Sequence, residues 1–126
     1  MSAVPPDETR RLEALYQYQI LDTAPEEAFD DLTQLAAQIC GTPMAMMTLV
    51  AGDRQWMKSR VGLVIDEVDL HVGFCPLSVE QQDILVIADT AADPQFAANV
   101  VVTGEPYVRF YMAAPLITSA GHAIGT

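Results

Sequence analysis

The stretch Met44–Val61, MAMMTLVAGDRQWMKSRV, holds two apolar segments of strand length with a turn between them. Residues 44–50 form a short apolar run that suits a buried strand, although periodicity alone also allows a helix there. Residues 54–61 alternate in the manner of a partner strand, and Ala51-Gly52-Asp53 consists of residues that favour turns. The spacing of these segments predicts an antiparallel hairpin.

Two helices are predicted before the hairpin. The first spans residues 7–21 and carries apolar side chains at helical spacing: Leu12, Leu15, Tyr16 and Ile20. The second spans residues 23–40, where Thr23 and Glu26 have the spacing of a capping box and Pro25 falls in the first turn. Gly41 is expected to end this helix, whose apolar stripe comprises Phe29, Leu32, Leu35, Ala36 and Ile39.

Residues 44–126 are predicted to supply the sheet and the loops around it. We expect a loop at residues 62–73, a short helix at 74–79 and further strands at 84–88 and 110–117. Helices followed by hairpin-connected strands indicate an α+β domain with an antiparallel sheet. A last strand begins at Ala123 and stops after a few residues, so we expect a C-terminally truncated fragment of a longer chain.

Composition narrows the choice of partners. The 126 residues suffice for one domain, and 51% of them are hydrophobic. The net charge of −11 repels phosphate backbones and anionic lipids, so neither nucleic acid nor a membrane surface is an expected partner. Only two cysteines are present and the first 25 residues lack a signal-peptide pattern, which favours a cytoplasmic location.

Several separated segments resemble one family in colinear order. They read RLEALYQYQILDTAPEEAFDDLTQLAAQICGTPMAMMTLV, DRQWMKSRVGL, GFCPLSV, VIADTAADPQFAANVVVTGEPYVRFYMAAPL and GHAIGT. From about Glu8 to Thr126 the chain resembles the GAF domains of bacterial two-component sensor histidine kinases and diguanylate cyclases. The resemblance implies one GAF/PAS-like domain over residues 1–126, with helices on one face of the sheet and pocket loops on the other.

The same resemblance implies a role in bacterial signal transduction. Such domains bind a small molecule, form homodimers, or do both, and they regulate an output domain such as a kinase or cyclase elsewhere in the parent chain. The family continues beyond GHAIGT with a further strand and a helix that leads to the output domain. We therefore predict a sensory, non-catalytic domain, with a structural dimerisation module as one alternative and a thiol enzyme built on Cys75 as another.

Cys75, in GFCPLSV, is the residue on which these alternatives depend. A catalytic thiolate needs a base or a positive charge nearby, and His71 is the nearest imidazole in sequence. Gly73 and Pro76 argue against the regular helix that would align the two, and a buried, unreactive cysteine is the common state. Methionine-sulfoxide-reducing relatives use several cysteines, a pattern that Cys40 and Cys75 do not match.

No cofactor or metal is expected. In bilin-binding relatives the anchoring cysteine precedes a histidine, whereas the corresponding residues 103–109 contain neither, so a covalent bilin is not predicted. The two histidines are far apart, and the acidic residues of the 62–73 segment lack the glycine and terminal glutamate of a calcium loop. A cyclic nucleotide ranks below an empty or unspecific pocket because the chain offers few cations for its phosphate.

Six residues are candidates for the wall of a ligand pocket. Alternation along VRFYMAAPL puts Phe110 and Met112 on one face of a strand and Tyr111 on the other, without showing which face meets the pocket. The candidates are Phe74, Cys75, Asp89, Phe110, Tyr111 and Met112.

Overall fold

Four helices and seven strands make up the part of the chain that the computed structural model describes, residues 6–70 and 72–126. His71, considered above as a base for Cys75, lies outside the described residues. The helices are α1 (Pro6–Gln17), α2 (Glu27–Cys40), α3 (Cys75–Gln81) and α4 (Val100–Thr103). The strands are β1 (Ala45–Val50), β2 (Arg54–Val61), β3 (Glu67–Asp69), β4 (Leu85–Ile87), β5 (Tyr111–Ala113), β6 (Leu116–Ile117) and β7 (Ala123–Gly125).

The predicted hairpin forms the centre of an antiparallel sheet. Strands β1 and β2 pair with Leu49 opposite Trp56, and a bulge lies between Met47 and Thr48. Strand β3 extends the sheet beyond β2, while β7 and β6 extend it beyond β1, which gives the order β3-β2-β1-β7-β6. Strands β4 and β5 form a separate antiparallel pair. The α+β class and the antiparallel sheet predicted from the sequence are confirmed.

Two strand predictions differ in detail from the structure. The 62–73 segment is not entirely a loop, because its residues Glu67–Asp69 pair with β2 and form the edge strand β3. The predicted strand over residues 110–117 is divided into β5 and β6 at Ala114 and Pro115. Proline has no amide proton to donate to a ladder, which accounts for the break.

The long helices α1 and α2 pack on one face of the sheet. Leu15 of α1 is fully buried against Leu49, Ala51 and Trp56. Trp56, the one tryptophan of the sequence, belongs to this apolar core. Lys58 lies over the ring of Phe29, with Nζ 5.7 Å from the ring centroid.

Both helices are shorter than predicted. Helix α1 ends at Gln17 rather than residue 21, and the following Gln19 and Asp22 have positive φ, which an α-helix does not accommodate. Helix α2 begins at Glu27 rather than Thr23, and its N-cap residue makes no side-chain capping bond. The predicted capping box does not form because the Thr23 hydroxyl donates backwards to the carbonyl of Ile20.

Lys58 holds the connection between the two helices. Its side chain is fully buried, and its Nζ lies 2.7 Å from Thr23 Oγ1, 2.6 Å from the Ala24 carbonyl and 2.7 Å from Glu26 Oε2. These contacts fix the chain just before α2 begins. A residue of β2 therefore sets the start of a helix more than thirty positions earlier in the sequence.

Replacing Lys58 with methionine is expected to lower the free energy of unfolding by about 1–3 kcal/mol, because hydrogen bonds from a buried charged group are lost. Amide hydrogen exchange in the first turn of α2 should accelerate more than exchange elsewhere. Arg60→Met is the control, since its pair with Asp66 is partly exposed and contributes about 0–1 kcal/mol. Equal stability losses in the two variants, measured by urea unfolding, would contradict this role of Lys58.

The apolar stripe predicted for α2 points away from the sheet. Leu32, Leu35 and Ile39 are half or more exposed, whereas Thr33 and Ala37 are buried against the strands. Small side chains on the buried face let the helix lie close to the sheet, and Asp30 fixes that approach by accepting a hydrogen bond from Ser59. Hydrophobic periodicity located the helix, but most of its apolar stripe is not the face that meets the sheet.

The opposite face of the sheet is covered by α3, α4 and the segments that join them to the strands. Cys75 and Val79 of α3 pack against Val50 and Ala123 of the sheet. A second cluster, formed by Phe74, Ile87, Phe96 and Val102, supports this cover from outside. Within the described residues, no helix combines the length and apolar character needed to cross a membrane.

Candidate ligand-binding site

A cavity of about 90 Å³ lies against the face of the sheet that α1 and α2 do not cover. We call it the sheet cavity. Its floor comes from the central hairpin, where alternate residues of the strands point to the same side: Met44, Met46, Thr48, Gln55 and Met57. Its cover includes residues of the 63–75 segment, α4 and β5. The hairpin thus supplies the helix-side core with one face and the cavity with the other.

Aromatic rings brace the cover of the sheet cavity. Phe74 is buried, and its ring centroid lies 4.8 Å from that of Tyr111 and 5.2 Å from that of Phe96, both in edge-on geometry. The Tyr111 hydroxyl lies 3.1 Å from Cys75 Sγ. Burial, together with the neighbouring thiol, raises the pKa of Tyr111, so the phenol stays neutral at physiological pH.

Gln55 ties the cover to the sheet. Its Nε2, which carries two N–H groups, lies within hydrogen-bonding distance of the backbone carbonyls of Asp69, Leu70 and Val72, at 3.0, 3.1 and 2.6 Å. The side chain is almost fully buried and reaches across from β2 to the segment that follows β3. One side-chain amide therefore holds the residues that close this side of the cavity.

Among the described residues, the hydroxyl of Thr48 is the one buried side-chain nitrogen or oxygen without a hydrogen-bond partner. It is fully buried, and its Oγ1 has no hydrogen-bond partner among the described residues. Its backbone is satisfied, because N–H and carbonyl both pair with Thr126. An unpaired buried hydroxyl costs about 1–3 kcal/mol relative to a paired one. A hydroxyl of this kind beside a cavity is a candidate hydrogen-bond partner for an occupant of the cavity.

The sheet cavity offers nothing for an ion. No described residue that lines it has a charged side chain. Across residues 6–70 and 72–126, no group of three histidine, cysteine, aspartate or glutamate side chains is placed to hold a metal ion. The chemistry available is apolar contact and hydrogen bonding.

A larger groove of about 270 Å³ lies elsewhere, between α1 and the turn that joins β6 to β7. Arg10, Glu13 and His122 are among its lining residues, so it is a polar surface groove. The sheet cavity is the better candidate in spite of its smaller volume, because ligand sites are mainly apolar with a few placed polar groups.

The structure divides the six residues predicted for the pocket. Phe74, Cys75 and Tyr111 line the sheet cavity. Phe110, which directly precedes β5, and Met112, which follows Tyr111 in that strand, do not; they point to the opposite side, where each is about half exposed. Asp89 is also exposed, and its carboxylate accepts a hydrogen bond from the amide of Ala91 in a turn. These three residues therefore lie outside the lining of the sheet cavity.

Most of the floor was missed in the sequence. Three methionines, Thr48 and Gln55 lie on one face of the hairpin, and period-two alternation placed them together. That signal was available in the stretch that defines the hairpin. The residues predicted around Cys75 belong to the cover of the cavity and not to its floor.

Comparison with known proteins agrees with this architecture. Residues 24–126 match the model of the GAF domain family. Over 122 residues the chain is 32% identical to a cyclic di-GMP phosphodiesterase of Pseudomonas aeruginosa. The alignment covers 97% of this chain and 21% of that protein. The chain thus spans only about a fifth of that relative.

Solved structures share the fold at low sequence identity. Free methionine-R-sulfoxide reductase from Neisseria meningitidis matches with a TM-score of 0.62 at 18% identity, over 99% of this chain and 75% of that one. The GAF domain of a phosphoenolpyruvate-protein phosphotransferase from Coxiella burnetii matches with a TM-score of 0.62 at 13% identity, over 94% and 74%. The family model covers most of the chain, and the chain belongs to the GAF domain family.

Proposed function

We propose that this GAF domain is a cytosolic sensor that binds a small molecule in the sheet cavity and thereby regulates an output domain in a bacterial signalling protein. The observation that carries the proposal is the buried Thr48 hydroxyl, which lacks a partner among the described residues beside an apolar cavity. The Pseudomonas relative, a cyclic di-GMP phosphodiesterase, supports a signalling context.

The proposed mechanism uses the cover of the cavity. A ligand shifts a conformational equilibrium only by its differential affinity for the two states. An occupant that contacts Thr48 and the residues held by Gln55 favours the arrangement in which Gln55 binds the carbonyls of Asp69, Leu70 and Val72. The cover that Gln55 holds in place presents a different surface to the rest of the signalling protein than a cover released from Gln55.

Native mass spectrometry of the protein purified from two expression hosts tests the proposal. We expect a retained small-molecule mass, and we expect Val68→Phe to abolish it because Val68 lines the cavity. Val86→Phe is the control, since Val86 is exposed on β4 and lies outside the lining. No retained mass from either host, with folding intact, would count against a ligand and favour the next candidate.

Homodimerisation without a ligand is the alternative function. The exposed side chains of Leu32, Leu35 and Ile39 on α2 favour it, because a contiguous apolar surface commonly marks an interaction site. Light scattering distinguishes the cases: a dimer that Leu35→Glu converts to a monomer supports the alternative. A monomer at all concentrations removes it.

We propose further that the domain is non-catalytic, although related folds include reductases. Cys75 is buried and pairs with the Tyr111 hydroxyl, whereas Cys40 is exposed. Native protein treated with iodoacetamide is expected to label at Cys40 only, and Cys40→Ala should remain unlabelled until denatured. Rapid native labelling of Cys75 in Cys40→Ala would instead indicate a reactive thiolate and support a thiol enzyme.

A further inference from the structure

The charge of the sheet cavity restricts what it can hold. Its described lining contains no acidic or basic side chain, and three of its floor residues are methionines. Transferring an ionised group into such a place without a partner costs far more than apolar contact returns. Phosphate, carboxylate and ammonium groups are therefore poor occupants.

The available hydrogen bonding is also limited. Four polar side chains occur in the described lining, and three are engaged: Gln55 with backbone carbonyls, and Cys75 with Tyr111. Thr48 remains, with one hydroxyl that both donates and accepts. The cavity therefore suits an occupant with one polar atom, which pairs with Thr48, and an otherwise apolar surface.

The volume of the sheet cavity and the flexibility of its wall limit the size of an occupant. An engineered apolar cavity of roughly 150 Å³ holds the six carbon atoms of benzene, so about 90 Å³ corresponds to roughly four non-hydrogen atoms before the wall adapts. Methionine side chains are flexible and polarisable, and they let Met44, Met46 and Met57 adapt to ligands of somewhat different shape.

We infer that the ligand class of the sheet cavity is small, uncharged and mainly apolar, with one hydrogen-bonding group that pairs with Thr48. The inference rests on the proposed function and narrows it, because it excludes anionic signals such as nucleotides. It also assigns Thr48 as the residue that distinguishes a polar ligand from an apolar one of the same shape.

Methyl NMR on protein labelled at the methionine methyl groups provides the test. Three five-membered rings of equal size serve as probes: tetrahydrofuran with one acceptor, cyclopentane with none, and cationic pyrrolidinium; butyrate is the anion. We expect tetrahydrofuran and cyclopentane to shift the methyls of Met44, Met46 and Met57 in a saturable way. The methyl of Met112, exposed on β5, is the internal control and should not move.

Thr48→Val then isolates the hydroxyl. The substitution keeps the shape of the side chain, so cyclopentane affinity should be unchanged, while tetrahydrofuran affinity should fall about fivefold, the factor of one ordinary hydrogen bond. The empty Thr48→Val protein should be at least as stable as the parent, because an unpaired hydroxyl is removed. Thr48→Ser, which retains the hydroxyl, should preserve the preference for tetrahydrofuran.

The outcomes separate the inference from the function on which it rests. If butyrate or pyrrolidinium moves the cavity methyls and tetrahydrofuran does not, the ligand class is wrong while a ligand site remains. If tetrahydrofuran loses no affinity relative to cyclopentane in Thr48→Val, the assignment of Thr48 is wrong. If no probe moves any cavity methyl, both the ligand class and the proposed sensory function of this cavity are overturned.

Discussion

Replacing Phe74 with alanine is expected to lower the free energy of unfolding by about 3–5 kcal/mol, a large part of the stability of a domain of this size. Phe74 is buried, and it contacts the rings of Phe96 and Tyr111 in edge-on geometry. Its removal takes away apolar contact and leaves a void that rigid neighbours fill only in part. Urea unfolding followed by circular dichroism measures the effect.

Phe110→Ala is the matched control. Both phenylalanines are candidates for the pocket wall in the sequence, but Phe110 is 48% exposed and lies on the outer side of β5. Its truncation should cost less than about 1 kcal/mol, as expected for a partly exposed site. If the two variants lose similar stability, the inward and outward assignments along β5 are wrong.

Gly62→Ala is expected to cost about 2–5 kcal/mol. Gly62 follows β2 with φ of +78°, and a Cβ atom there would lie 2.2 Å from the carbonyl oxygen of Pro43. A positive φ costs a residue with a Cβ about 1–2 kcal/mol, and the overlap with backbone adds a further cost that no side-chain rotation relieves. The midpoint of thermal unfolding should fall accordingly.

Gly121→Ala separates the two contributions. Gly121 has φ of +90°, but a Cβ atom there would meet nothing within 4 Å. This variant should therefore show the conformational cost alone, about 1–2 kcal/mol. A Gly62→Ala variant no less stable than Gly121→Ala would show that the strand end and Pro43 are not in close contact.

The fold class was predictable because the strands and the turn of the central hairpin are neighbours in the sequence, where local patterns identify them. The alternation around Trp56 and the turn at residues 51–53 specify pairing between neighbours in sequence, and the observed register follows from them. The start of α2 was not predictable in this way. It depends on Lys58, a residue of β2 that contacts Thr23 and Ala24 although it lies more than thirty positions later in the sequence.

The site was predictable only in part, for a similar reason. Alternation separates Tyr111 from Phe110 and Met112, but which set faces inward depends on the position of β5 relative to Phe74 and the cover. The exposed stripe of α2 shows the same limit, since apolar periodicity marks a face without naming what that face meets. A local sequence pattern shows which residues share one face of a strand or helix. Packing between elements that are distant in sequence decides which of those faces lines the cavity.

Strand β2 carries two long polar side chains three positions apart, and they reach in opposite directions. Gln55 fastens the segment over the cavity on one side, and Lys58 fastens the joint between the long helices on the other. Any displacement of this strand must strain both attachments at once. A shift of β2 would therefore be transmitted to both faces of the sheet, to the cover of the sheet cavity through Gln55 and to the connection between α1 and α2 through Lys58.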